Sequence, residues 1–138
     1  MNLKRRLVPT LGAFVVIWAT EFFVHHVCLS EFYKAHAEWW RPEAEMKSLL
    51  PLMFLAQVLL AYLLTTVYAK GYEANKPGLA QGLRFGLLIG LLLMAPTSLV
   101  KFVVYPYPES LILTWFLGGL VEVMLAGAVI GALYRPTS

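Results

Sequence analysis

The chain has 138 residues, of which 59% are hydrophobic and 14% are charged, and its mean hydropathy is +0.69. Soluble domains carry about a quarter charged residues, so this composition excludes a disordered, fibrous or disulfide-built protein. It indicates one membrane domain over residues 1–138. The net charge of +3 is modest and the basic residues form no continuous stripe, which argues against nucleic acid as a partner.

Four apolar segments predict an all-α, polytopic membrane protein with four transmembrane helices in the lipid bilayer. A spanning helix needs about 20 mostly apolar residues. The predicted spans run approximately over Leu7–Leu29, Leu49–Ala69, Gly82–Val104 and Leu111–Tyr134. The segment Ser30–Glu38 contains no helix breaker, so the first helix is expected to continue past the membrane surface. Arg41-Pro42 then turns the chain, because a residue before proline avoids the helical region.

The basic residues predict the orientation of the chain in the membrane. With four spans, both termini and the second connection lie on one side, which holds seven of the eleven Lys and Arg residues. The positive-inside rule therefore predicts cytoplasmic N and C termini. The acidic Glu31–Glu45 connection faces outward in this arrangement. The seven residues are Lys4, Arg5, Arg6, Lys70, Lys76, Arg84 and Arg135.

Glycines in the third and fourth spans predict close helix packing. Small residues let helix backbones approach each other in a membrane, so these two helices are expected to pack tightly with each other or with a neighbouring subunit. A four-helix monomer leaves much helix surface uncovered, and we therefore expect a homo-oligomer. The glycines concerned are Gly82, Gly86, Gly90, Gly118, Gly119, Gly127 and Gly131.

Two glutamates lie inside predicted spans. An ionisable side chain there costs on the order of 2.5–3.5 kcal/mol on insertion scales and is a functional candidate. At the helical rise, Glu21 lies roughly 21 Å beyond Leu7, and Glu122 lies roughly 16 Å beyond Leu111 from the opposite side. Both reach a similar depth, so they are expected to meet if the first and fourth helices are neighbours.

His25 follows Glu21 by four positions, which places both side chains on one helix face. Together with Glu122 they predict a metal site, because three protein ligands and an open position are typical of catalytic zinc. Such a metal would lower the pKa of bound water towards about 7. Glu21 and Glu122 are then the catalytic candidates, while His26 is rotated by about 100° and points towards another helix or subunit.

Two other interpretations of this set remain open. In the first, Glu21 and His25 hydrogen-bond each other and Glu122 is protonated, purely for structure. Alternatively, they can form a proton or ion pathway in a non-enzymatic transporter or channel subunit. We expect Lys101 to reach towards the headgroups from the end of its helix rather than to join this group.

Three stretches resemble a pattern in small four-span bacterial inner-membrane proteins of unknown function. They are His25–Leu29, Trp40–Met46 and Gly82–Gly90. The chain is also similar to a trimeric integral-membrane metal enzyme. That resemblance implies a homotrimer with one divalent metal ion, zinc, per subunit and a hydrolytic activity. An ester or lipid-like substrate would suit a site within the bilayer.

Overall fold

The computed structural model describes residues 3–135 as helices and short turns, with no β-strand among them. The all-α prediction is therefore confirmed for this part of the chain. In order, the elements are α1 (Leu3–Phe22), a π-helical segment (Phe23–Cys28), α2 (Ser30–Ala35), a 3₁₀ turn (Ala37–Trp39), α3 (Glu43–Lys70), α4 (Gly78–Val104) and α5 (Glu109–Leu133).

Four of these helices are long and apolar enough to cross a membrane, as the sequence predicts. The candidate spans cover Arg5–Cys28, Glu43–Lys70, Gly78–Val104 and Glu109–Leu133. Each contains the stretch of about 20 apolar residues that a bilayer core requires. These helices indicate a multi-pass membrane protein.

The first helix does not continue regularly past the membrane surface, contrary to the expectation from sequence. It changes from α-helical to π-helical hydrogen bonding at Phe23, and this bonding ends at Leu29. The Leu29 backbone has φ −109° and ψ 0°, and its N–H donates to the Val24 carbonyl over 3.0 Å. Helix α2 thus begins as a separate element, although no proline or glycine marks the break. π-helical turns of this kind are rare and occur frequently at functional sites.

The two ends of the bundle differ in composition. The end that holds Leu3, Leu133 and the α3–α4 connection is called the termini end. Arg6 in α1 donates to the Thr66 hydroxyl in α3 over 3.2 Å at this end. The opposite end, called the aromatic end, carries α2, the α4–α5 turn and an aromatic cluster. Its members are Tyr33, Trp39, Trp40, Tyr107 and Trp115.

Helices α4 and α5 form the most extensive helix–helix contact, and glycine allows it. A Cβ atom added at Gly86 would lie 2.6 Å from the Val123 carbonyl oxygen, and one at Gly82 would overlap the Gly127 carbonyl. The predicted glycine packing is therefore confirmed, and it occurs within one chain. Because these faces are already occupied, they no longer argue for a second subunit, and the homo-oligomer remains a prediction.

The apolar core lies in the half of the bundle nearer the termini end. Helix α5 contacts α4 and α1, and α1 also packs against α3. This packing buries side chains of α1, α3 and α5 in one cluster. Its members are Ala13, Ile17, Ala61, Leu64, Tyr68, Val123, Ala126 and Ile130.

Helix α3 takes part in this core through only one half of its length. Residues 43–56 are all exposed, and the first buried residue of the helix is Gln57. Fourteen residues of helix correspond to about four turns. Helix α3 thus packs against the other helices only towards the termini end. Towards the aromatic end, its first four turns make no buried contact with the bundle.

The α3–α4 connection is held by side-chain hydrogen bonds. Buried Gln81 accepts from the Glu73 backbone N–H over 2.8 Å and donates to the Glu73 carbonyl over 3.0 Å. The Glu73 carboxylate pairs with Lys76 at 2.5 Å and with Arg84 at 3.1 Å. The hydrogen bond from Lys76 holds the pKa of Glu73 below its ordinary value of 4.5.

Candidate functional site

Glu21, His25 and Glu122 line one cavity in the structure, so the proximity expected from their spacing and depth is present. Glu21 lies in the last turn of α1, and His25 Nε2 lies 3.2 Å from its Oε2 atom. The Glu122 side chain projects from the middle of α5, where the residue is only 6% exposed. The three side chains therefore form a polar patch between α1 and α5.

The position of Glu122 follows from the packing of its helix. Ala126, one turn away on the same face of α5, belongs to the core that α3 helps to bury. Glu122 lies one turn nearer the aromatic end, at the edge of this core. The face of α5 that packs against α3 at Ala126 therefore carries a carboxyl group where the packing of α3 ends.

Thr20 links Glu122 to the first helix. Its hydroxyl donates to Glu122 Oε2 over 3.1 Å and also lies 2.8 Å from the Val16 carbonyl oxygen. An ionised carboxylate can only accept hydrogen bonds, whereas a protonated one can donate. Two carboxyl groups on one cavity wall can therefore bond to each other when they share a proton.

His25 is held through both of its ring nitrogens. Nε2 contacts Glu21, while Nδ1 lies 2.6 Å from the Tyr33 hydroxyl oxygen. The Tyr33 hydroxyl in turn accepts a hydrogen bond from Trp115 Nε1 over 2.9 Å. The result is a chain of polar contacts that runs from Trp115 in α5 through Tyr33 and His25 to Glu21.

A cavity of about 250 Å³ lies beside this group, between α1, α4 and α5. Its wall combines carboxyl, imidazole, hydroxyl and ammonium groups with apolar side chains. Glu21 and His25 are partly exposed towards it, with side-chain exposures of 38% and 35%. The lining polar residues are Glu21, His25, Thr97, Ser98, Lys101 and Glu122.

Lys101 lies on the wall of this cavity, contrary to the expectation that it is separate from the Glu–His set. Its Nζ atom lies 5.1 Å from the centroid of the Trp115 ring. A cation over the face of an aromatic ring is attracted by the ring quadrupole. This contact holds the ammonium group beside the cavity although Lys101 is close to the end of α4.

His26 does not join the site. Its ring stacks on that of Phe22, with centroids 4.8 Å apart. It is also absent from the residues that line the cavity. The rotation of about 100° between consecutive residues of a helix thus separates it from His25, as predicted.

The predicted three-ligand metal site is not supported. Among residues 3–135, no group of three or more His, Cys, Asp or Glu side chains is placed to hold a metal ion. The candidate ligands instead have partners within the protein, since Glu21 contacts His25 Nε2 and the Thr20 hydroxyl contacts Glu122.

Sequence reasoning missed Thr20, Tyr33 and Trp115. Thr20 adjoins Glu21 in sequence, and Trp115 precedes Glu122 by seven positions, about two helical turns on the same face. Both could have been found from these spacings. Tyr33 could not, because its position depends on the π-helical segment and the break at Leu29.

Searches of protein-family models, curated proteins and solved structures found no match for this chain. This outcome is consistent with a family of unknown function, and it adds nothing to the resemblance to a trimeric metal enzyme. The function therefore has to be argued from the site itself.

Proposed function

We propose that this protein is a multi-pass protein of a bacterial inner membrane, with both termini in the cytoplasm. The four apolar helices and the excess of Lys and Arg at the termini end support this orientation. In this arrangement the aromatic end faces the periplasm, and the cavity lies in the outer half of the membrane. Its rings belong to the headgroup layer, where aromatic side chains with a polar tip are enriched.

We further propose that the protein is a small proton-coupled transporter, or a subunit of one, in which Glu21 and Glu122 share a transferable proton. The observation that carries this proposal is that two carboxyl groups from different apolar helices line one cavity. Ionisable side chains in membrane-spanning segments mark proton relays and substrate pathways. His25 extends the pair towards the periplasm, because its Nε2 atom lies 3.2 Å from Glu21.

The other half of the bundle supports a transporter rather than an open channel. Below Glu122, the core between α1, α3 and α5 consists of buried side chains such as Ile17, Val123 and Ile130. Among the described residues, the polar side chains of this interior do not continue the path from Glu122: the Thr65 hydroxyl donates to the Ala61 carbonyl, and Gln57 Oε1 and Thr10 Oγ1 have no hydrogen-bond partner. Transfer to the cytoplasm therefore requires a second conformation, whereas exchange with the periplasm requires none.

Proton flux into liposomes tests this proposal. Purified protein is reconstituted with a pH-sensitive dye inside, and a potassium diffusion potential drives proton entry. We expect uptake above that of empty liposomes, with loss of the excess in Glu21→Gln and Glu122→Gln. Glu109→Gln is the matched control, because Glu109 is an exposed glutamate in the first turn of α5. Wild-type flux equal to that of empty liposomes, or full flux in Glu122→Gln, would overturn the proposal.

A metal-dependent hydrolase of ester or lipid-like substrates is the second candidate. The observation in its favour is the proximity of Glu21 Oε2 and His25 Nε2, at 3.2 Å, on the wall of a cavity. Two ligand atoms of one zinc ion, each about 2.0–2.2 Å from the metal, lie at a similar separation. Elemental analysis separates the candidates. About one zinc per chain, lost in Glu21→Ala and His25→Ala, supports the hydrolase, and a metal-free wild-type protein that carries protons rejects it.

A further inference from the structure

The Tyr33 hydroxyl is the least expected member of the site. It lies eight positions after His25, which corresponds to about 12 Å along a continuous α-helix. Its oxygen nevertheless lies 2.6 Å from His25 Nδ1, and the two rings are stacked with centroids 5.8 Å apart. The π-helical segment and the break at Leu29 make this contact possible, because they end the first helix between the two residues.

Trp115 constrains the hydrogen bonds around this hydroxyl. An indole N–H can only donate, whereas a tyrosine hydroxyl has one proton to donate and lone pairs to accept. Trp115 Nε1 donates to Tyr33 over 2.9 Å, and among the described side chains His25 Nδ1 is the acceptor within reach of the hydroxyl proton. We therefore assign the Tyr33 proton to the bond with Nδ1. In a neutral imidazole one nitrogen accepts and the other donates. An accepting Nδ1 therefore places the His25 proton on Nε2, where it faces Glu21.

The surroundings of Tyr33 hold this geometry in place. Its ring packs edge-on against Trp40 at 5.2 Å, and Trp40 packs against Trp115 at 6.2 Å. Burial raises the pKa of Tyr33 above its ordinary value of 10.0. The hydroxyl thus keeps its proton throughout the neutral range and remains a donor.

We propose that Tyr33 is a positioning residue that, held by Trp115, sets the tautomer and orientation of His25 so that the Nε2 proton points at Glu21. This inference rests on the proposed function, because it gives the Glu21–Glu122 pair its link towards the periplasmic side. Tyr33 acts through His25 and does not itself contact Glu21 or Glu122. The charged and titratable groups around the cavity are Glu21 and His25 from the first span, Lys101 from α4 and Glu122 from α5.

The test compares wild type with Tyr33→Phe, which keeps the ring and removes only the hydroxyl. The readout is the ¹⁵N NMR spectrum of His25 in protein labelled at histidine, with His25→Asn used for assignment. We expect wild type to show a protonated Nε2 and an unprotonated Nδ1. Loss of one hydrogen bond in Tyr33→Phe should shift the tautomer ratio towards Nδ1–H by roughly 3- to 10-fold. Tyr105→Phe is the control, because Tyr105 is an exposed tyrosine at the same end.

The outcomes separate this inference from the proposed function. Unchanged His25 resonances in Tyr33→Phe, or a protonated Nδ1 in wild type, would overturn the positioning role whatever the proton flux is. A tautomer shift together with no wild-type flux would uphold the geometry but reject its use in proton transfer. Trp115→Phe provides an independent variant, since it removes the N–H that donates to Tyr33 and should shift the ratio in the same direction.

Discussion

Glu21 at the end of α1 and Glu122 in the middle of α5 line the same cavity of about 250 Å³. They come from two helices that are far apart in sequence. Glu21 is the junction of the site, because its side chain also contacts His25 Nε2 at 3.2 Å. Removing either carboxyl group therefore changes the site without removing an apolar contact of the core.

We expect the Glu122 carboxyl group to serve proton transfer while it lowers the stability of the folded protein. Burying a carboxyl group in a membrane costs roughly 2.5–3.5 kcal/mol, which its hydrogen bond to Thr20, worth about 1 kcal/mol, does not offset. We expect Glu122→Met to unfold in detergent at the wild-type temperature or above, while it loses proton flux. Thermal unfolding followed by tryptophan fluorescence measures this. A clear fall in unfolding temperature would instead indicate a mainly structural role for the carboxyl group.

The α4–α5 contact is expected to tolerate no side chain at Gly82. A Cβ atom there overlaps the Gly127 carbonyl oxygen, and backbone cannot move aside as a flexible side chain can. Gly82→Ala should therefore lower the free energy of unfolding by about 1–3 kcal/mol, the usual cost of overpacking. Gly71→Ala is the control, because nothing lies within 4 Å of a Cβ atom at that position. Equal unfolding temperatures for the two variants would contradict this packing.

Gln81 is expected to determine the conformation of the α3–α4 connection. It is 6% exposed and makes two hydrogen bonds to the Glu73 backbone, at 2.8 and 3.0 Å. Gln81→Leu removes two hydrogen bonds, although the exposed Glu73 carbonyl still accepts from the Lys76 N–H over 3.2 Å, so we expect a loss of about 1 kcal/mol. Faster proteolysis within residues 71–77 should accompany it. Lys70→Ala is the control, because Lys70 is at an exposed position in the same region and its loss should have no such effect. Wild-type stability and proteolysis in Gln81→Leu would contradict the prediction.

The ion pairs of the Glu73 carboxylate should make the stability of the folded protein depend on pH. Its pKa lies below the ordinary value of 4.5 because Lys76 and Arg84 favour the ionised form. Folding therefore gains from this group above the unfolded-state pKa, and the gain disappears as the pH falls through the lower, folded-state pKa. The difference in unfolding temperature between wild type and Glu73→Gln should be present at pH 7 and vanish in acid below the ordinary glutamate range.

A control for salt accompanies the Glu73 measurement. Ion pairs at an exposed site are screened by salt, so the difference at pH 7 should also shrink at high ionic strength. A difference that persists in acid and in high salt would contradict the role of the ion pairs, because Glu73→Gln keeps the backbone hydrogen bonds to Gln81.

The sequence by itself was sufficient to predict the four long apolar helices and the shared face of Glu21 and His25. Both depend on local properties, namely the length of apolar segments and the helical repeat. Comparison of the depths of Glu21 and Glu122 also predicted that they could meet. It could not determine whether the neighbouring carboxyl groups hold a metal ion or a shared proton, because that depends on the directions and partners of all nearby polar groups.

Only the tertiary structure decided the features that depend on which helices are neighbours. It assigned the glycines of α4 to contacts with α5 within one chain, and it placed Lys101 on the wall of the cavity. It also showed that the first helix breaks at Leu29, which carries Tyr33 back onto His25. No proline or glycine marks this break in the sequence. Tyr33, which follows the break, contacts residues such as Trp115 that are distant in sequence and become neighbours only in the folded state.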